Sequence, residues 1–100
     1  MGKAYILVQV AIPDFEAYRA SGYMAMAQAA IAAHGGRFLV RGGEVTQLEG
    51  EPVTERIVVL EFPSREVALG FWNSRDYQPA LALRQSLSSA RSVLLDEYTG

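Results

Sequence analysis

The run AYILVQVA from Ala4 to Ala11 constrains the fold most, because an extended strand of this composition is apolar on both faces. Side chains alternate along a strand, so Ala4, Ile6, Val8 and Val10 share one face while Tyr5, Leu7, Gln9 and Ala11 share the other. The doubling recurs in Thr54 to Phe62, where Val58, Leu60 and Phe62 oppose Ile57, Val59 and Glu61. In Arg91 to Tyr98, Leu94 and Tyr98 oppose Val93, Leu95 and Glu97. A sheet made of such strands needs cover on two sides. The chain has 100 residues, enough for one domain over residues 1–100.

Two helical stretches separate the strands. Asp14 is a natural N-cap, with Glu16 at the positive helix end, and Phe15 to Ala33 is alanine-rich and free of proline. One helix is expected there, loosened or kinked at Gly22, and stopped by His34-Gly35-Gly36. Arg37 to Arg41 is the second strand, with Val45 to Leu48 resuming it after a bend at Gly42-Gly43, and Glu49 to Pro52 forming a turn. Ser64 caps a second helix from Arg65 to about Asn73, and a new start at Ser74 extends a broken helical stretch to about Ser88. Pro79 lies early enough in that stretch to be tolerated.

The order βαββαβ predicts an α+β, ferredoxin-like fold: a four-stranded antiparallel sheet with both helical units on one face. Four strands span roughly 19 Å and two helices of about 10 Å cover one face only. The purer apolar set, Val8 and its neighbours, is expected under the helices. Tyr5, Leu7, Ile57, Val59, Val93 and Leu95 are left on the other side, a larger exposed patch than a monomer usually carries. Burying each contributes about 1.5–3 kcal/mol, and a homodimer stacked through its sheet faces lets one patch cover another. Gln9, Glu61 and Glu97 on that face would need partners, and Arg37 or Arg41 could neutralise Glu61.

Composition narrows the chemistry. There is no cysteine and only His34 among histidines, which excludes disulfides, cysteine nucleophiles and thiolate metal sites and disfavours any metal centre. The formal net charge of -2 does not suit phosphate neutralisation. An RNA-recognition sheet has this topology but needs stacking aromatics on its first and third strands, where Ile57 and Val59 stand, so no nucleic-acid partner is expected. The N-terminal apolar run is too short to span a membrane, and Pro13-Asp14-Phe15-Glu16 does not resemble a signal-peptide cleavage site, so the expected location is the cytoplasm.

Candidate site residues come with structural alternatives. His34 is the one side chain whose ordinary pKa lies near neutrality, hence a candidate general base, although a helix C-terminus also favours a cation there. Arg37 and Arg41, read as sharing one strand face, could clamp an anion with Glu61 beside them, or could simply pair with Glu61 and with Glu44, Glu49, Glu51 and Glu55. Tyr18, Phe71, Trp72 and Tyr77 have helix-face spacing and are expected in the core, Tyr77 with its hydroxyl available to a pocket. No glycine-rich nucleotide motif occurs.

Ala4 to Val10, DFEAY at Asp14 to Tyr18, IAAHGGRFLVRGG at Ile31 to Gly43, and Leu48-Glu49-Gly50 form a specific combination. VVLEFPSRE at Val58 to Glu66 and NSRDYQPALALR at Asn73 to Arg84 complete it. Together they resemble an uncharacterised bacterial family, domain of unknown function number 1330, in the dimeric α+β barrel superfamily. Phe15 stands where that pattern often has proline, and Tyr23 to Met26 is more apolar than it. The resemblance implies a ferredoxin-like protomer that pairs through its sheet, without implying a reaction. Superfamily relatives include cofactor-free monooxygenases, muconolactone isomerases, haem-degrading enzymes and stress-related dimers, and fold alone does not choose among them. The expected function is binding of a small anionic or aromatic metabolite, with cofactor-independent proton transfer or oxygenation. The alternative is a non-catalytic structural or stress-related dimer.

Overall fold

The structure is a computed structural model describing residues 2–100; Met1, the first residue of the expected domain and of the segment weighed as a signal peptide, lies outside the described residues. Its elements are β1 (Ala4–Ala11), α1 (Phe15–Ala20), α2 (Tyr23–Ala33), β2 (Arg37–Arg41), β3 (Arg56–Phe62), α3 (Arg65–Trp72), α4 (Gln78–Leu87) and β4 (Ser89–Asp96). The strands form one antiparallel sheet in the order β2-β3-β1-β4, the ferredoxin-like arrangement.

Local chemistry sets the helix starts. The Asp14 Oδ1 accepts from the Ala17 amide at 3.0 Å, and Ser64 Oγ accepts from that of Val67 at 3.1 Å. The helix expected over Phe15 to Ala33 is two helices. Gly22 adopts φ 85°, and the Ser21 hydroxyl donates to the Tyr18 carbonyl at 2.6 Å while accepting from the Tyr23 amide at 3.1 Å. One serine thus ends α1 and opens α2.

Three strand expectations need correction. Val45 to Leu48 forms no strand, because Gly42 and Gly43, at φ 76° and 97°, turn the chain out of the sheet. β3 begins at Arg56 rather than Thr54, opposite Val10 near the end of β1. β4 lies two residues earlier than expected, since its pairing with β1 runs from Ala11↔Ser89 to Ala4↔Asp96 and then has no more β1 to follow. Tyr98 is therefore beyond the strand and 91% exposed.

The helices cover the face carrying Ala4, Ile6, Val8, Val10, Leu60 and Phe62, all buried. Phe62, Phe71 and Tyr77 form a ring stack at its centre, with centroids 5.0 Å and 4.4 Å apart. Gly36 passes so close that a Cβ would collide with Phe62 and Ile31. The opposite face is open: Tyr5, Leu7, Ile57 and Val59 are half-buried, and Val40, Val93 and Leu95 are exposed.

Candidate functional site

A cavity of about 40 Å³ lies between the sheet and the helices. β1 supplies Val8 and Val10 to its floor, and β3 supplies Arg56, Val58 and Leu60, which share one face of their strand. Tyr18 comes from α1, Tyr23 and Met24 from α2, Trp72 from α3, and Arg84 from α4, with Tyr77 at the N-cap of α4. Tyr77, Ala80, Leu81 and Arg84 recur at helical spacing, so the stripe that buries Ala80 and Leu81 also carries Arg84 inward.

Arg41 reaches this cavity through a register shift. β2 pairs Arg37 with Glu61 and Phe38 with Leu60, but then Val40 with Val59 and Arg41 with Val58, leaving Leu39 as the extra residue. One inserted residue reverses which side each following side chain takes. Arg37 and Arg41, expected on one face, therefore lie on opposite faces. Arg41 donates to Gln28 Oε1 at 2.9 Å and to the Met24 carbonyl at 3.2 Å, with its guanidinium 4.1 Å from the Phe38 ring centroid.

The remaining candidates are dispersed. Arg37 Nε donates to Glu61 Oε1 at 3.0 Å on the open face, where Lys3 adds a second cation at 3.6 Å. The Arg37 hydrogen bond, reinforced by both charges, holds the Glu61 carboxyl below its ordinary pKa. His34 caps the C-terminal end of α2, with Nε2 3.2 Å from Asp76 Oδ2 and its ring edge-on to Phe71. It does not line the cavity. Tyr77 does: it is 4% exposed, and its hydroxyl lies 2.9 Å from that of Tyr23. Burial, with Tyr77 beside it, pushes the Tyr23 phenol far above its ordinary range, so it stays protonated.

Sequence reasoning passed over Arg56 and Arg84. Both signals were present: Arg56 is in phase with Val58, Leu60 and Phe62, and Arg84 with Tyr77 and Leu81. Among the described residues, none of Arg41, Arg56 and Arg84 forms an ion pair. The lining holds no aspartate, glutamate or histidine. Gly42 makes room for Arg56, because a Cβ there would strike its guanidinium. Such a cavity can neutralise the charged end of an anion and donate hydrogen bonds to it. Among the described residues no three histidine, aspartate or glutamate side chains come together as metal ligands. No described helix is long and apolar enough to cross a membrane.

The fold recurs in solved structures. A protein of unknown function from Rhodopseudomonas palustris superposes with a TM-score of 0.75 at 21% identity, over 99% of this chain and 85% of that one. SnoaB, a cofactor-independent oxygenase from Streptomyces nogalater, gives 0.65 at 14% identity, over 100% and 97% respectively. These likenesses show the fold. No curated protein matches the chain. The model of the family described as Domain of unknown function (DUF1330) matches residues 3–98, and the chain belongs to that family.

Proposed function

We propose that the protein is a cytoplasmic homodimer, joined through its open sheet faces, that binds a small anionic or aromatic metabolite in the cavity of each protomer. The observation that carries this reading is a cavity walled by tyrosines, Trp72 and Phe38 and lined by three arginines that, among the described residues, meet no acid. Arg41 and Tyr77 stand at the ligand; Arg37, Glu61 and His34 stand apart from it. Half-exposed apolar residues across the open face support the pairing, since a second copy offers the same surface in return.

Chemistry of the cofactor-independent kind suits these surroundings. Three nearby positive charges favour the ionised form of a bound phenol or enol, the electron-rich form that proton transfer and oxygenation both require. The likeness to a cofactor-independent oxygenase is in keeping with this but concerns the fold only. A thermal-shift screen of small carboxylates, phenols and lactones tests the reading, because a ligand stabilises the state that binds it. Concentration-dependent rises in Tm with acidic or aromatic compounds, followed by oxygen uptake or product formation with the hits, are expected. A flat response across every class points instead to a non-catalytic dimeric module.

A further inference from the structure

The cavity's arginines also bear on how much charge its ligand carries. Arg84 is 5% exposed. Its side-chain partner is a neutral one, Ser88 Oγ at 3.5 Å, and that hydroxyl donates to Arg84's own carbonyl at 2.7 Å. A guanidinium buried this deeply without an anion is heavily penalised. Arg41 is held by an amide and a carbonyl, both neutral, and Arg56 lies over the Phe15 ring at 5.7 Å. All three line the same cavity as Tyr18; burial raises the Tyr18 phenol's pKa, and the charges of Arg56, Arg84 and Arg41 pull against it. Three positively charged residues thus line one small space, and among the described residues none of them has an acidic partner.

From this we propose, building on the cavity's reading as a ligand site, that it receives the doubly charged end of an aromatic molecule. A phosphate monoester and a pair of adjacent carboxylates share this chemistry. A single carboxylate would leave two of the three charges unbalanced. The 40 Å³ is room for about three waters, the scale of a compact charged group and too little for a ring besides, so in this proposal the body of the ligand lies outside the cavity. Each guanidinium can present a planar pair of N–H donors to such a group.

Isothermal titration with four compounds sharing a benzene ring tests this: benzamide, benzoate, phthalate and phenyl phosphate. At low salt the doubly charged compounds should bind at least about tenfold tighter than benzoate, and added salt should weaken them more. The ratio of phthalate to phenyl phosphate affinity identifies which source of double charge is preferred. Arg84→Met should weaken the tighter one at least about tenfold, whereas Arg37→Met, the same charge change on the opposite face, should leave it unaltered. Arg56→Met should repeat the Arg84→Met loss and serves if the latter does not fold. Equal affinity for benzoate and the doubly charged compounds overturns the inference while leaving the anion site intact. Equal affinity for all four compounds, benzamide included, overturns both, as does failure of all four to bind. Undiminished dianion binding by folded Arg84→Met and Arg56→Met places the charge recognition elsewhere and overturns the inference.

Discussion

The two faces of the sheet treat charge and oil in opposite ways. On the open face the polar groups are satisfied within the chain: Arg37 and Lys3 hold Glu61, and Arg91 donates to Gln9 at 3.1 Å. Its apolar residues remain partly wet, Val93 at 48% and Leu95 at 47% exposure. On the helix-covered face the apolar residues are sealed, and among the described residues it is the cations that lack acidic partners. A surface short of apolar cover fits another protein surface, and a cavity short of negative charge fits an anion. In the reading proposed above, the contrast separates two jobs back to back on one sheet, pairing on the open face and anion binding on the covered one.

The largest effect should come from breaking the covered face at its centre. Phe71, fully buried between Phe62 and Tyr77, cannot be truncated to alanine without losing about 3–5 kcal/mol in denaturant unfolding, and ligand binding should go with it. Breaking the open face should instead spare the fold. Leu7 sits opposite Val59, so Leu7→Glu places a charge in the middle of the proposed seam. Its dimer dissociation constant should rise by about 100-fold or more, roughly 2.7 kcal/mol, by sedimentation equilibrium with an unchanged circular dichroism spectrum. An unaltered dimer would show that the seam lies elsewhere.

Arg84→Met sharpens the contrast from the inside. Without ligand, replacing an unpaired buried cation by an apolar side chain of similar length should stabilise the protein, by about 1–4 kcal/mol, visible as a higher Tm. A comparable fall would mean that the charge already has its partner within the chain. The smallest effect belongs to Glu61. Its pKa is lower in the folded than in the unfolded chain, so its contribution is complete above the unfolded carboxyl value and disappears as pH falls through the folded one. Thermal melts of wild type and Glu61→Gln should coincide at the acid extreme and separate as pH rises. The separation should be modest, because Lys3 and Arg37 are 50% and 67% exposed. Curves that separate only on acidification would reverse the sign and contradict the pairing.

The faces themselves were legible in the sequence, since β1 and β3 are long enough for a two-residue period to declare itself and Asp14 and Ser64 announce their helices. The site was less so. β2 has five residues, too few for its alternation to betray the bulge at Leu39, and that single residue decides that Arg41 turns inward while Arg37 stays out. His34 finds Asp76, 42 residues away, a pairing that depends on how α2 sits beside the turn before α4. Arg56 and Arg84 obeyed the periods of their elements, but charged residues on an apolar stripe were passed over in favour of the glycine-flanked arginines. The arm after Gly43 resembles a strand in composition, yet it peels away and leaves Leu48 93% exposed.

Native mass spectrometry with phenyl phosphate or phthalate tests the division of labour most directly, because it counts subunits and ligands in one spectrum. Two chains carrying two ligands, one behind each sheet, is the predicted species. A lone chain, or two chains sharing one ligand at the seam between them, would contradict it.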